Sequence, residues 1–223
     1  MLSRIAAGRT DLVFDWIEGG GDALATFDGA ALINWCSYFG DVSAIRFLQS
    51  RGVSLALLGS NFDLNGAAFH GHWRLCEYLI EQGANPQSAL PDTGETPLHA
   101  ALSSFASAEH ECVVKVLLAA GAEVNAVTNP GVETGSFMRD VRTRGETALH
   151  RAAAYGTLES IRLLIEAGGA LDARDANDDS PLSWASYALR DASVLHMLCF
   201  PPFHVNANRR SMRSNLIGTP VKT

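Results

Sequence analysis

A fixed spacing of short motifs constrains the fold of this chain more than any other feature. Thr147 and Ser180 stand 33 residues apart, and each begins a short apolar run. A period of this size is typical of stacked supersecondary units, each of which contacts only its neighbours. The spacing therefore predicts a linear array of repeated units rather than one globular core.

The unit at residues 145–178 shows how each repeat is built. Thr147 is placed to cap a first helix, whose small inward side chains, such as Ala152, allow a second helix to approach closely. The second helix, residues 158–166, carries apolar residues at helical spacing, and Gly168 follows where a left-handed residue is needed to end it. The unit is therefore predicted to be a helix pair followed by an extended polar loop.

This pattern resembles the ankyrin repeat. The resemblance is strongest where the sequences Thr-Pro-Leu-His and Thr-Ala-Leu-His begin at Thr96 and Thr147. It covers about residues 1–207 and implies an all-α solenoid of about six helix-turn-helix units joined by short β-hairpin-like loops. We expect units at about 1–29, 30–60, 61–94, 95–144, 145–178 and 179–207, followed by a basic C-terminal tail at 208–223.

The fourth unit departs from the common period. Its connection to the fifth, residues 127–144, is about fourteen residues too long for the repeat register. This segment contains Pro130, Gly131 and Gly135 and shows no apolar periodicity. Long connections in compact arrays are often functional or mobile. We therefore expect it to be mobile and protease-sensitive in the free protein.

Charge and composition narrow the class of partner. The net charge is −7, and the tail at 208–223 is basic, so the body is more acidic still. Nucleic acid is therefore not an expected partner. The N-terminal segment carries charges where a signal peptide needs an apolar core, and no apolar run approaches the ~18 residues of a membrane-spanning helix. We expect no membrane partner and a cytoplasmic location, with the four scattered cysteines present as reduced thiols.

No pattern in the sequence indicates an active site. The motifs of metalloproteases, α/β-hydrolases and dinucleotide-binding enzymes are absent. His99 and His150 stand at the fourth position of the repeat motif, where the resemblance implies structural braces within and between repeats. His70 and His72 lack the four-ligand spacing of a zinc site. We therefore expect a protein that is not an enzyme and that uses no cofactor and no metal ion.

Aromatic side chains at one helix end are the candidate binding residues. In the repeat register, the last turn of each first helix faces the concave groove of the family. Aromatic rows of this kind are typical anchors of interfaces, although the same rings could pack between neighbouring repeats. The predicted partner-binding set is Tyr38, Phe39, Phe69, His70, Tyr155 and Tyr187.

A fringe of carboxylates lies beside this row, at the predicted hairpin tips. Its partner-binding candidates are Glu146, Asp178 and Asp179, and it also includes Asp92, Glu95 and Asp175. Turn chemistry alone explains many aspartates, but an acidic fringe also favours a basic partner. We therefore expect a protein-interaction module that binds a partner protein or peptide through its concave face and hairpin tips, and the acidic fringe favours a basic partner.

A second hypothesis belongs to a different class. The chain could be a regulatory or substrate-recognition subunit of an enzymatic pathway that is itself modified. Asn125, in the sequence Val-Asn-Ala, matches the position at which asparagines of the ankyrin family can be hydroxylated. The mass of the intact protein from its native host distinguishes this hypothesis from the first.

Overall fold

The structure is a computed structural model that describes residues 1–103, 107–135 and 141–201. Within these ranges the chain forms twelve short α-helices, and consecutive helices pack together in pairs. The predicted tail at 208–223 and the end of the predicted sixth unit lie outside the described residues. The helix pairs confirm the predicted all-α fold class.

The helices form two rows. The first row consists of α1 (Leu2–Ala6), α3 (Leu32–Tyr38), α5 (Leu64–Phe69), α7 (Pro97–Ala101), α9 (Ala148–Tyr155) and α11 (Pro181–Tyr187). The second row consists of α2 (Leu12–Glu18), α4 (Val42–Ser50), α6 (Trp73–Glu81), α8 (Ala108–Ala119), α10 (Leu158–Glu166) and α12 (Ala192–Met197). Each helix contacts the neighbouring helices of its own row, so the pairs are stacked.

Little other regular structure is present in the described residues. Two short antiparallel strands, β1 (Thr26–Phe27) and β2 (Ala30–Ala31), lie between the first two helix pairs. A 3-10 helix, Leu55–Leu58, follows α4. The connections between later pairs are hairpin-like loops without long ladders.

A single buried apolar cluster runs along the stack between the two rows. In the fifth unit, Ala152 and Ala153 of α9 and Ile161 and Leu164 of α10 all belong to this cluster and are fully buried. The alanines allow the two helices to approach closely because they carry no bulk beyond Cβ. The predicted inward face of this unit is therefore confirmed.

Local chemistry fixes where these helices begin and end. Thr96 and Thr147 precede α7 and α9, and the backbone N–H of each donates to the imidazole Nδ1 of the histidine three residues later, at 3.3 Å and 3.1 Å. Gly168 follows the end of α10 with a φ of 92°, which a residue with a Cβ atom rarely adopts.

The loops that connect successive pairs bond to one another. The N–H of Asn129 donates to the carbonyl of Thr93 at 2.7 Å, and the N–H of Ala176 donates to the carbonyl of Arg144 at 2.6 Å. These two bonds hold the long connection, residues 127–144, between the loop that precedes α7 and the loop that precedes α11.

The long connection at 127–144 differs from the expectation. Its described arms, 127–135 and 141–144, approach each other through an antiparallel bridge between Glu133 and Arg142. Three of its threonines are buried, namely Thr128, Thr134 and Thr143. The two arms are therefore packed onto the body, and the expectation of a mobile connection is not met by them. Hydrogen-bonding threonines do this packing, which explains why no apolar periodicity marked it.

Candidate protein-binding groove

A cluster of buried charges lies beneath the two described arms of the long connection, 127–135 and 141–144. We call these two arms the hairpin. Arg151 of α9 is fully buried, and its Nη2 atom lies 2.7 Å from Glu95 Oε1 and 2.6 Å from Glu146 Oε1. Its Nη1 atom donates to the hydroxyl of Ser103 at 2.6 Å and to the carbonyl of His99 at 3.2 Å. Burial of these charges is tolerated because each ion is both paired and hydrogen-bonded.

The expectation that Glu146 lies on an exposed acidic fringe is wrong. Glu146 and Glu95 are both only 1% exposed, because both form ion pairs with the buried guanidinium of Arg151. Arg151 occupies a position on the inward side of α9, where the repeat pattern by itself offers no reason to expect a charge. Neither carboxylate is therefore available for direct contact with a partner.

A third carboxylate of the fringe is also buried. Asp175 Oδ1 accepts the backbone N–H of Asp179 at 2.9 Å, and its Oδ2 atom accepts the indole N–H of Trp184 at 3.0 Å. This aspartate shapes its own loop, as turn chemistry allows. Asp178 is exposed and Asp179 is half-buried, so only these two of the predicted acidic binding residues reach the surface.

The buried carboxylates hold the hairpin in place. The hydroxyl of Thr134 donates to Glu95 at 2.8 Å. The Glu146 Oε2 atom accepts the hydroxyl of Thr128 at 2.7 Å and the backbone N–H of Arg144 at 2.6 Å. The cluster therefore ties α9 to both arms of the hairpin.

Both carboxylates are ionised at neutral pH. Burial by itself would raise the pKa of Glu146, but the Arg151 guanidinium, the N–H of Arg144 and the hydroxyl of Thr128 outweigh it and lower the pKa to about 2. Burial likewise opposes ionisation of Glu95, and the guanidinium outweighs it, so the pKa of Glu95 is also lowered. The cluster therefore contains two negative charges and one positive charge.

His99 and His150 are structural braces, as predicted. Because Nδ1 of each ring accepts the threonine N–H, the Nε2–H donates to a carbonyl of the next unit. The acceptor is Glu146 O at 3.2 Å for His99 and Asp179 O at 3.1 Å for His150. Burial is the main cause that lowers the pKa of both rings, that of His99 to about 4.

We expect the stability of the fold to decrease as the pH falls from 6.5 towards 4. His99 has a pKa of 6.5 in the unfolded chain and about 4 in the folded one, so the unfolded chain binds more protons in this window. At ~1.4 kcal/mol per pKa unit, the loss is on the order of 3 kcal/mol. The lowered pKa of His150 has the same sign.

Urea-induced unfolding at several pH values measures this loss. His99→Gln is the matched variant, because it keeps a polar side chain of similar size and removes the titrating ring. It should show a smaller difference in the free energy of unfolding across the same window. Equal stability of the unaltered protein at pH values near 6.5 and 4 would contradict the assignment of His99 as a buried neutral brace.

The candidate aromatic residues form two groups rather than one row. In the first group, which we call the Tyr38 group, the ring centroids lie 5.0 Å apart for Tyr38 and Phe39, 4.9 Å for Tyr38 and His70, and 5.2 Å for Phe69 and His70. All of these rings are exposed except that of Phe69, which is half-buried. The group joins the ends of α3 and α5 into one surface.

The second group contains Tyr155 and Tyr187, at the ends of α9 and α11. Their side chains are 45% and 73% exposed. Between the two groups, α7 is followed by Leu102 and Ser103, which are both buried. The described residues therefore do not continue the row through the fourth unit.

A groove of about 230 Å³ lies between the second arm of the hairpin and the ends of α9 and α11. We call it the hairpin groove. One wall carries Arg142 and Arg144, and the other carries Tyr155, Trp184 and Tyr187. The long connection, which shows no apolar periodicity in the sequence, thus provides one wall of this groove.

The two arginines of this wall differ in their partners. Arg142 donates to the carboxylate of Glu133 at 2.9 Å and to the carbonyl of Gly131 at 2.7 Å. The Arg144 guanidinium lies 5.6 Å from the centre of the Trp184 ring, in the range of a cation–π contact.

Residues 1–103, 107–135 and 141–201 contain no group of three or more His, Cys, Asp or Glu side chains placed to hold a metal ion. No helix in these ranges combines the length and the apolar character needed to cross a membrane.

Comparison with known families agrees with this architecture. A family model described as ankyrin repeats in three copies matches residues 33–128 and 129–209. These spans cover most of the chain, which therefore belongs to the ankyrin-repeat family. Ankyrin repeats indicate a protein-interaction module and are typically non-catalytic.

Curated relatives match the chain over part of their length. It is 28% identical over 116 residues to Rabankyrin-5 of Homo sapiens, which is 52% of this chain and 9% of that protein. It is 25% identical over 193 residues to Palmitoyltransferase ZDHHC13 of Mus musculus, covering 77% of this chain and 30% of that protein. It is 34% identical over 107 residues to Ankyrin repeat domain-containing protein 63 of Mus musculus, covering 48% of this chain and 24% of that protein. The chain thus spans less than a third of the length of each of these relatives.

Proposed function

We propose that this chain is a non-catalytic interaction module that binds a partner protein or peptide along the ends of the first-row helices and the adjoining hairpin loops. The observation that carries the proposal is the exposure of aromatic rings at the same helix end in several units. Tyr38, Tyr155 and Tyr187 are 54%, 45% and 73% exposed. Exposed aromatic side chains are typical anchors of interaction sites.

The shape of this surface supports an extended partner. The Tyr38 group and the hairpin groove both lie at the ends of first-row helices, separated by the fourth unit. A partner that contacts both groups must run along the stack. Rigid aromatic side chains lose little conformational entropy on binding, so they suit such an extended contact.

The charge of the partner is less constrained than the sequence suggested. A basic partner was expected from the acidic fringe, but Glu95, Glu146 and Asp175 are buried. Asp92 and Asp178 remain exposed, and Asp178 lies beside Arg174, whose Nε atom is 3.9 Å from its carboxylate. We therefore propose that the aromatic rings, rather than the acidic fringe, provide most of the binding energy, with no nucleic acid and no membrane as partner.

We further propose that the module acts in a reducing compartment such as the cytoplasm. Cys36 and Cys76 are buried as free thiols in the core, and burial raises the pKa of each to about 12. Such thiols are inert packing residues. A reducing environment suits a core built with them.

The second hypothesis, modification at Asn125, is not favoured by the geometry. The Asn125 carboxamide donates to the carbonyl of Gly168 at 3.0 Å and accepts the N–H of Ala170 at 2.9 Å. This contact joins the loop after α8 to the turn after α10. A structural role therefore accounts for the asparagine without a modification.

The proposal predicts the effect of truncating exposed aromatic rings. The double variant Tyr38→Ala with Tyr187→Ala should weaken binding of a partner captured from native lysate at least tenfold, because buried interface aromatics typically cost more than ~1 kcal/mol each when truncated. The helical circular dichroism should be unchanged, since both side chains are exposed. Isothermal titration calorimetry with the purified partner measures the affinity.

Leu158→Ala is the matched control, because Leu158 is an exposed apolar residue at the start of a second-row helix. It should leave the affinity unchanged. An unchanged affinity in the aromatic double variant, or an equal loss in the control, would move the interface away from the first-row helix ends.

A further inference from the structure

We infer that the hairpin groove selects a partner segment that carries an acidic side chain, whose carboxylate pairs with the exposed guanidinium of Arg144 beside Trp184. This inference rests on the proposed function and adds the chemistry of the bound segment. The acidic fringe favours a basic partner, whereas this inference favours an acidic one. The difference arises because the inference uses only charged groups that are exposed to a ligand.

Of the two arginines among the described lining residues, Arg144 is the one without an ion-pair partner in the described part of the chain. Its side chain is exposed, and it forms no ion pair with the residues that the structure describes. Arg142, two residues before it, is already paired with Glu133. A guanidinium can form two parallel hydrogen bonds with one carboxylate, so a single acidic side chain satisfies it.

The backbone of Arg144 is fixed on both sides. Its N–H donates to Glu146 Oε2, and its carbonyl accepts the N–H of Ala176, both at 2.6 Å. The main chain that carries the guanidinium is thus held by the buried cluster and by the next loop. Binding therefore needs little further ordering of this wall, which lowers the entropic cost of association.

Among the lining residues that the structure describes, the groove offers a basic ligand no accessible carboxylate. Glu146 is the acidic residue of the lining, and it is buried with both oxygens occupied. Its Oε1 atom accepts from Arg151, and its Oε2 atom accepts from Thr128 and from the Arg144 backbone. The buried cluster, with its excess negative charge, therefore cannot contact a ligand, whereas the exposed guanidinium of Arg144 can.

The opposite wall of the groove indicates which type of side chain should lie next to the acidic one in the bound peptide. Tyr187 is 73% exposed, and it presents a ring rather than a charge to the groove. An apolar side chain next to the carboxylate can cover this ring while the carboxylate reaches Arg144. The favoured occupant is therefore an extended peptide in which an acidic residue adjoins an aliphatic or aromatic one.

Selection from a random peptide library displayed on phage tests this inference with the full chain as bait. Peptides enriched on the unaltered protein should share an acidic residue beside an apolar one. Synthetic copies, measured by fluorescence anisotropy, should bind Arg144→Gln at least tenfold more weakly. Replacing the acidic residue of the peptide by its amide should weaken binding to the unaltered protein by a similar factor but have little effect on Arg144→Gln.

Arg74→Gln provides a matched control. Arg74 is also exposed, and its guanidinium lies 4.4 Å from the centre of the Trp73 ring, on a second-row helix. This variant removes the same charge from a similar arginine–tryptophan pair outside the hairpin groove. It should bind the selected peptides as tightly as the unaltered protein.

The outcomes separate this inference from the proposed function. Peptides that lose affinity on Tyr187→Ala but not on Arg144→Gln would overturn the inference and leave the proposed groove intact. Peptides that bind equally well to both variants would overturn both. A selection that enriches no acidic peptides relative to the same selection on Arg144→Gln would also overturn the inference.

Discussion

Replacing Arg151 by methionine is expected to lower the free energy of unfolding by about 3 to 5 kcal/mol, the usual cost of removing one partner from a buried ion pair. Methionine approaches arginine in length but carries no charge, so Glu95 and Glu146 would remain buried without a counter-ion. The hydroxyl of Ser103 and the carbonyl of His99 would also lose a donor. Urea-induced unfolding followed by circular dichroism measures the loss.

Two further variants show whether charge is the cause. In the triple variant Arg151→Met, Glu95→Gln and Glu146→Gln, no charge is left in the cluster, and at least half of the lost stability should return. Arg162→Met removes an arginine that is exposed and pairs with Glu159 and Glu166 on the surface, so it should cost far less. A loss for Arg151→Met as small as that for Arg162→Met would contradict the role of the buried cluster.

Replacing Leu164 by alanine is expected to cost about 2 to 5 kcal/mol, because it leaves a cavity in the best-formed unit. Leu164 is fully buried in the core between the two rows, together with Ala152 and Ile161. Leu158→Ala in the same helix is the control, since Leu158 is exposed and should contribute much less. Thermal unfolding measures both changes. An unchanged melting temperature for Leu164→Ala would show that the repeat register is wrong.

The fold could be predicted from the sequence because its signals are local. The caps at Thr96, Thr147 and Ser180 act within a few residues. So do the positive-φ glycines that follow α4, α6, α8 and α10, which are Gly52, Gly83, Gly121 and Gly168. A stack of such units needs no long-range information beyond its neighbour. The helix pairs and the inward alanines follow from these signals alone.

The buried cluster could not be predicted in the same way. Its three charged members come from the start of the fourth unit, the start of the fifth, and α9. Glu95 and Arg151 are far apart in sequence, and no periodic pattern links them. A carboxylate beside a turn is normally exposed to water. Its burial can be recognised only from a structure that shows the arginine that neutralises it.

The candidate binding residues were predicted in part. The positions of Tyr155 and Tyr187 follow from the register, and their exposure agrees with it. The break between these tyrosines and the Tyr38 group lies at the fourth unit, where Leu102 and Ser103 are buried, before the long connection to the fifth unit. That connection forms a wall by hydrogen bonding through threonines, and such bonds leave no pattern of apolar residues to recognise.

Amide hydrogen exchange of the hairpin tests most directly the claim that a fixed hairpin forms a wall of the binding groove. The N–H groups of Thr128 and Thr143 donate to Glu146 O at 3.1 Å and to Val132 O at 2.9 Å. In the unaltered protein they should exchange as slowly as the amides of α9. In Arg151→Met they should exchange much faster, while α4 and α6 stay protected. Fast exchange at both threonines in the unaltered protein would contradict the account, because the hairpin would then not be held as a wall.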